Sequence, residues 1–310
     1  MTDHYVIGVD AGGTKTTAWL ANRNGHLQQQ PLATGSSGPG NVRSVGFDAA
    51  VTNIQTAITK AIASRSGTID RLCICAAGAG RMDEQNRLRE WADSQHLASR
   101  IRIATDVEAV LAAASEDPTG VALIAGTGSL AWGRNSDGQT HRAGGWGHLL
   151  GDEGSAYDIA MKSLRCAVRM ADGREVETPL LQTMMRELRV NAPTDLIAIV
   201  YSESMSKDHF ASLAKCVFDT AESGDSVAAM IIENAVSELA LMVKTVSKHL
   251  HLKDSFPLAV TGGVLVHQPT FRLALLQHLD HPVENTHVVD APVRGAVALA
   301  RLLTTGDAVV

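Results

Sequence analysis

The chain has little cysteine and no pairing pattern for it. Cys73, Cys75, Cys166 and Cys216 are scattered along 310 residues with no C-x-x-C spacing. That argues for reduced, mostly buried thiols in a cytoplasm rather than a disulfide framework. No run of lysine or arginine forms a basic stripe, and the net charge is −6 with a pI near 6.0. Nucleic acid and anionic membrane are therefore poor partners. No apolar stretch approaches the roughly 18 to 20 residues of a membrane span on a reading of the sequence. The opening Met1-Thr2-Asp3-His4 carries neither the basic segment nor the apolar region of a secretory leader. Around the first glycine pair neither G-x-x-x-x-G-K-[ST] nor G-x-G-x-x-G is present. What remains, at 45% hydrophobic and 19% charged residues, is the profile of a cytosolic globular protein. At 310 residues it is long for a single core, so two domains are expected.

What is there begins with Asp10-Ala11-Gly12-Gly13-Thr14-Lys15-Thr16-Thr17, set between the apolar runs 5–9 and 18–20. Adjacent glycines allow a tight turn and close approach to an anion, because no Cβ intervenes. The amides around Gly12 to Lys15 and the hydroxyls of Thr14, Thr16 and Thr17 are donors suited to phosphate. Asp10, at the strand's end, sits where a carboxylate holds magnesium through water. A plain glycine-rich hairpin turn with a solvated Asp fits the same residues.

Extended runs at 16–21 and 26–33, separated by Asn24-Gly25, predict an antiparallel meander, followed by a loop at 35–41. Helical spacing over 47–63, a strand at 69–77 closed by Gly78-Ala79-Gly80, a helix over 83–94, a strand at 101–104 and a helix over 107–115 complete a βββαβαβα order. The pattern then restarts. A strand at 121–125 runs into Gly126-Thr127-Gly128-Ser129, and a second hairpin turns at 135–138. Gly12 to Gly25 spans 13 residues and Gly126 to Gly138 spans 12. Helices follow at about 154–170, 179–188, 195–202, 210–221 and 226–249, then strands at 256–260 and 283–289 and a closing helix over 293–303. This recurrence predicts a duplicated α/β chain: domain one over 1–118 and domain two over 119–310, facing each other across a cleft. The closing helix is a candidate to pack back on the first.

Phosphoryl transfer needs phosphate donors, a metal ion and a base aligned with the acceptor hydroxyl. Gly12, Gly13, Thr14 and Lys15 are donor candidates in the first half, with Gly126, Thr127 and Gly128 in the second. Thr261-Gly262-Gly263 is a third turn able to approach a nucleotide through its backbone. Asp106 follows a strand and precedes a helix, where a carboxylate can take a sugar hydroxyl's proton. Thr105 or Asp106 would equally serve as a helix N-cap. The 144–156 segment interleaves five glycines with Trp146, His148, Asp152 and Glu153. Asp152 or Glu153 can bond ligand hydroxyls or an amide, and Asp152 and Ser155 can also cap the following helix. His148 reads as a structural core residue. Asn41 offers a donor and an acceptor, though asparagine also favours such turns for conformational reasons.

Taken together, Asp10-Ala-Gly-Gly-Thr14, Thr105-Asp106, Gly126-Thr-Gly-Ser129 and Gly145-Trp-Gly-His-Leu-Leu-Gly-Asp-Glu-Gly-Ser-Ala156 resemble the N-acetylglucosamine kinases. These belong to the BadF/BadG ATPase group of the actin/hexokinase/Hsp70 superfamily. The resemblance implies duplicated ribonuclease H-like (actin/hexokinase-type) α/β domains and an ATP- and Mg2+-dependent kinase acting on an amino sugar. It makes Asp106 the general base for the sugar 6-hydroxyl and Asp10 the magnesium ligand. Thr14 and Thr127 contact phosphates, and Asn41, Ser129, Gly145, Trp146, Gly147 and Asp152 line the sugar, Asp152 near its C2 nitrogen substituent. Ala211, on the 210–221 helix, would face adenine. The resemblance further implies a cytoplasmic homodimer. The 40–44 stretch lacks a tryptophan that the animal enzymes place against the acetyl group, so glucosamine stays beside N-acetylglucosamine as substrate. Two other classes remain open, an activator ATPase of a radical dehydratase and a non-catalytic sugar sensor.

Overall fold

His4–Ala11 (β1) is buried almost throughout, as expected of a central strand covered on both faces. The structure, a computed structural model, describes residues 4–62, 67–115, 117–202, 205–252, 255–279 and 283–304. The chain divides into two compact units, one holding the residues up to Ala122 together with those from Val289 on, the other Leu123–Val288.

In the first unit, Thr16–Asn22 (β2) returns antiparallel to β1 with Asp10 opposite Thr17. Ala33–Ser37 (β3) pairs antiparallel to β2. Val42–Val45 (α1) and Phe47–Ile62 (α2) follow, then Thr68–Ala76 (β4), parallel to β1. Met82–Ser94 (α3) leads to Arg100–Thr105 (β5), parallel to β4, and to Asp106–Ala114 (α4). The sheet order is β3-β2-β1-β4-β5. One face buries Ile7, Val9 and Leu20 with Ile54 and Ile58 of α2 and Leu88 of α3. The other buries Val6, Cys73 and Cys75 with Ala109 of α4 and Ala296 and Leu299 of the closing helix. That helix comes unusually close. A Cβ on Gly8 would collide with the backbone of Ala296 and Val297, and one on Gly295 with the carbonyl of Ala109.

The second sheet is built from Gly120–Ala125 (β6), whose last three residues open the second unit, with Ser129–Arg134 (β7), Thr140–Gly144 (β8) and two later strands. Between them come helices Ala156–Ala171 (α5), Leu180–Glu187 (α6), Asp195–Val200 (α7), Lys207–Ser212 (α8), Ala214–Glu222 (α9) and Ser226–His249 (α10). Leu258–Thr261 (β9), Gly263–His267 (α11), Pro269–Gln277 (α12) and Thr286–Val288 (β10) complete it, and Val293–Leu302 (α13) is the closing helix of the first unit. Read from its free end, the sheet runs β8-β7-β6-β9-β10. This is the first sheet's order repeated, strand for strand, so the duplication inferred from the glycine turns is a duplication of topology.

Three local expectations are corrected, and one stretch that the sequence leaves unassigned is helical. The strand expected at 26–33 is instead turns, and β3 lies at Ala33–Ser37, partly inside the expected loop, because Ser36 and Ser37 join the ladder opposite Thr17 and Thr16. The helix expected over 210–221 is two helices meeting at Leu213. Residues after Gly263 form α11 and α12, with Pro269 at the first turn of the latter, where its missing N–H costs nothing. Finally, α10 is long and apolar enough to cross a membrane by length and composition, the one such helix among the described residues. It packs against α5, α9, α12, β7 and β8, burying Val227, Ile231, Val236, Leu239, Val243 and Val246.

Candidate active site

In the first unit the parallel strands β1, β4 and β5 end at one edge of their sheet, and the candidate residues collect there. The turn after β1 is closed by the Gly12 amide donating to the Lys15 carbonyl at 3.0 Å. The Gly12 carbonyl accepts from the Gly40 amide at 2.9 Å, and Thr16 Oγ1 donates to the Gly38 carbonyl at 2.9 Å. These bonds stitch the 38–41 loop onto the turn and leave Gly13, Thr14 and Lys15 exposed. Neither Gly12 nor Gly13 has a positive φ. A side chain on Gly13 would meet open space, so the glycine pair keeps the approach to the amides clear rather than permitting a special conformation. Asn41 caps α1, its Oδ1 accepting from the Arg43 amide at 3.0 Å, and a Cβ on Gly78 would lie 2.6 Å from that oxygen.

Asp106 is the first residue of α4, not its cap. Thr105 is the N-cap, and Glu108 Oε1 accepts from both the Thr105 amide and its hydroxyl at 2.9 Å. This capping box satisfies the helix start. One oxygen of Asp106 accepts from the Val107 amide at 2.9 Å. Burial pushes the Asp106 carboxyl up, against the opposing pull of that amide. Burial and then the neighbouring Asp106 charge push the Asp10 carboxyl up to about 7, with Lys15 drawing it down by less. Cys73 and Cys75, with Sγ atoms 3.6 Å apart, are buried in the core under α13 and present neither thiol at the unit's surface.

In the second unit, the turn after β6 is the centre. Asp152 is 4% exposed with φ +61°, a left-handed backbone uncommon outside glycine and Asn/Asp. Its Oδ1 accepts from the Ser129 amide at 3.2 Å, and its Oδ2 pairs with Lys207 Nζ at 2.7 Å. A Cβ on Gly128 would sit within 3.0 Å of that carboxylate. Ser155, not Asp152, caps α5, accepting from the Asp158 amide at 3.2 Å. Ser129 is buried and its hydroxyl donates to the Glu153 carbonyl at 2.7 Å, leaving the oxygen able to accept. Thr127 Oγ1 donates to Asp208 Oδ1 at 2.9 Å. Gly262, at φ +95°, adjoins this turn, since any Cβ there would strike Ala125 and the Gly126 amide. Gly263 is exposed and starts α11. Ala211 is buried in α8.

The glycine-rich segment holds Gly144, Gly145, Gly147 and Gly154 at positive φ. It presents Trp146 at 67% exposure, with the Arg142 guanidinium 5.3 Å from its ring. His148 is not a core residue. It is exposed and sits edge-on to Tyr157 at 5.0 Å. Sequence reasoning missed Lys207 and Asp208, whose partners Asp152 and Thr127 lie 55 and 81 positions away, and contacts of that range leave no local signal. Among the described residues no group of three or more His, Cys, Asp or Glu side chains is placed to hold a metal ion.

Residues 7–299 match the BadF/BadG/BcrA/BcrD ATPase family. An N-acetylmuramic acid/N-acetylglucosamine kinase of Clostridium acetobutylicum is 30% identical over 96% of this chain and 98% of its own. An N-acetyl-D-glucosamine kinase of Dictyostelium discoideum is 30% identical over 97% and 98%, and the glucosamine kinase GspK of Vibrio cholerae is 23% identical over 84% and 85%. A Chromobacterium violaceum crystal structure with the provisional name N-acetylglucosamine kinase superposes with a TM-score of 0.73 at 22% identity, covering 96% of this chain and 98% of that one. A ROK family glucokinase from Streptomyces griseus, in complex with glucose and AMPPNP, gives 0.55 at 17% identity, covering 96% and 99%. These structural likenesses carry the fold, the duplicated α/β architecture of the actin/hexokinase type. With the family match and two full-length relatives at 30% identity, the chain belongs to the BadF/BadG/BcrA/BcrD ATPase family.

Proposed function

We propose that the chain is an ATP-dependent amino sugar kinase that phosphorylates the 6-hydroxyl of N-acetylglucosamine. The sugar oxygen attacks the γ-phosphorus, the bond from that phosphorus to the β–γ bridging oxygen breaks, and ADP leaves. Asp106 takes the hydroxyl proton as the new bond forms. The observation that carries this reading is the Thr105–Glu108 capping box. It relieves Asp106 of the structural duty its position suggests and leaves a half-buried carboxylate whose burial raises its proton affinity toward that of a base.

The exposed amides of Gly13, Thr14 and Lys15 and the Thr14 hydroxyl, on the turn that Gly12 closes through its own amide, are the phosphate and nucleotide donors in this reading together with Thr127, Gly128, Gly262 and Gly263, and Ala211 lies toward adenine. Asn41, Ser129, Gly145, Trp146, Gly147 and Asp152 hold the sugar, Asp152 accepting from the N–H at C2. Asp10 fits a magnesium ion: its carboxyl is raised by burial and by a second carboxylate, the condition a cation relieves. A single carboxylate plus substrate phosphates is an ordinary set for that ion. Magnesium, when bound with the nucleotide, offsets charge on the phosphates. The two relatives at 30% identity are named for acetylated sugars and the one at 23% for glucosamine, which supports the acetylated substrate. A cytoplasmic homodimer belongs to the same reading, and light scattering measures the dimer.

The test is a coupled ADP-release assay with Mg-ATP against N-acetylglucosamine, glucosamine, N-acetylmuramic acid, N-acetylmannosamine and glucose. The reading expects the highest kcat/KM with N-acetylglucosamine. ADP release that is independent of every sugar would refute it.

A further inference from the structure

We infer that Lys207 is a positioning residue that makes Asp152 select a neutral N–H donor over an ammonium. The inference rests on the reading of Asp152 as the acceptor for the sugar's C2 nitrogen. An ionised carboxylate only accepts hydrogen bonds, so whatever it reads must donate. Both an acetamide N–H and a protonated amine meet that requirement, and a lone buried carboxylate would favour the cation strongly.

Asp152 is not alone. Lys207 Nζ stands 2.7 Å from Oδ2, and the carboxylate side chain is 5% exposed while that of the lysine is 34% exposed. The pair carries no net charge where the ligand would meet it. The Ser129 amide holds Oδ1 at 3.2 Å, and the carboxylate stands against Gly128, where even a Cβ would touch it. Asp152 therefore has a fixed direction and remaining lone pairs, but its charge is already matched. Bringing a second cation to the same carboxylate costs repulsion with Lys207 in a partly desolvated setting, whereas an amide N–H costs none. Asp208, the next residue, is exposed to solvent screening and has one oxygen accepting from Thr127, so it does not restore the missing negative charge at Asp152.

The experiment compares kcat/KM for N-acetylglucosamine and glucosamine in the full chain and its Lys207→Met, Lys207→Gln and Lys207→Arg variants, at about pH 6.5 where the free amine is largely protonated. Wild type is expected to prefer N-acetylglucosamine. Lys207→Met is expected to lower the N-acetylglucosamine-to-glucosamine ratio by about tenfold or more, chiefly through KM. Lys207→Gln, which keeps a donor and removes the charge, is expected to do the same and covers a Lys207→Met protein that fails to fold. Lys207→Arg is expected to hold the ratio within about twofold. Parallel losses on both sugars, an unchanged ratio in the neutral variants, or an arginine variant that behaves like the methionine one would overturn the inference. A wild-type chain inactive on both sugars would overturn the kinase reading and the inference with it, whereas an active wild type with parallel losses overturns the inference alone.

Discussion

Asp10 and Asp106 stand at the same edge of one five-stranded sheet, and the charge of Asp106 adds to burial in holding the Asp10 carboxyl at about 7. The two acids differ in what opposes that rise. Lys15 draws Asp10 down through space, while the Val107 amide draws Asp106 down through a hydrogen bond. An acid that faces a second acid, and whose raised proton affinity the Lys15 charge offsets only in part, is suited to a metal. An acid anchored by one oxygen at a helix start keeps the other oxygen for a proton.

Replacing Asp106 with Asn keeps the shape and removes the base. Turnover is expected to fall by about 10²–10⁴-fold, with the sugar KM changed by less than about threefold. Steady-state kinetics with saturating Mg-ATP measures both. Unchanged turnover would remove Asp106 from the chemistry.

The Asp10 carboxyl also predicts a pH dependence of stability. In the folded chain it stays protonated to about 7, whereas its ordinary value is 3.8. Between those values the folded state holds a proton that the unfolded state has released, so stability falls as pH rises, by at most about 1.4 kcal/mol per pH unit. Above the folded value the slope vanishes. Denaturant unfolding at pH 5 and pH 8 is expected to show wild type losing stability relative to Asp10→Asn. A difference between the two proteins that does not vary with pH would contradict the assignment.

Much of this fold was legible because punctuation carries it. Asn24-Gly25, Asp137-Gly138 and the Gly/Thr turns after β1 and β6 recur at matching offsets, and the two sheets share one strand order. The candidate carboxylates, Asp106 as base and Asp10 as magnesium ligand, were legible because both sit at strand ends, where direction follows from the strand. Lys207 was not, because its partner lies 55 residues away and depends on where α8 packs. The break at Leu213 was invisible for a different reason. Leu213 has helical backbone angles, φ −67° and ψ −17°, and no glycine or proline marks it. His148 reads as core because no carboxylate or metal partner is in view for it in the sequence, whereas the folded segment, with Gly145 and Gly147 at positive φ beside it, leaves it exposed.

Gly262 is predicted to be nearly irreplaceable. Its φ of +95° disfavours any side chain, and a Cβ would strike the Ala125 carbonyl and the Gly126 amide. Gly262→Ala is expected to cost on the order of 1–3 kcal/mol in backbone strain before any overlap is relieved. Thermal unfolding should show a clear drop in the midpoint, and a midpoint equal to wild type would mean that the two turns are not packed as described.

Trp146 predicts the reverse balance. At 67% exposure it contributes little to the core, so Trp146→Ala should change stability by less than about 0.5 kcal/mol. The large ring is free to pack on a ligand, and the sugar KM is expected to rise about tenfold. A stable variant with an unaltered KM would exclude Trp146 from the sugar site.

The most direct measurement is the position of the phosphate in the product. Incubating the chain with Mg-ATP and N-acetylglucosamine and recording the proton–phosphorus coupling by NMR is expected to give N-acetylglucosamine 6-phosphate, with phosphorus coupled to the two protons on C6. Phosphorus coupled to the C1 proton, or ADP accumulating with the sugar intact, would contradict transfer to the 6-hydroxyl.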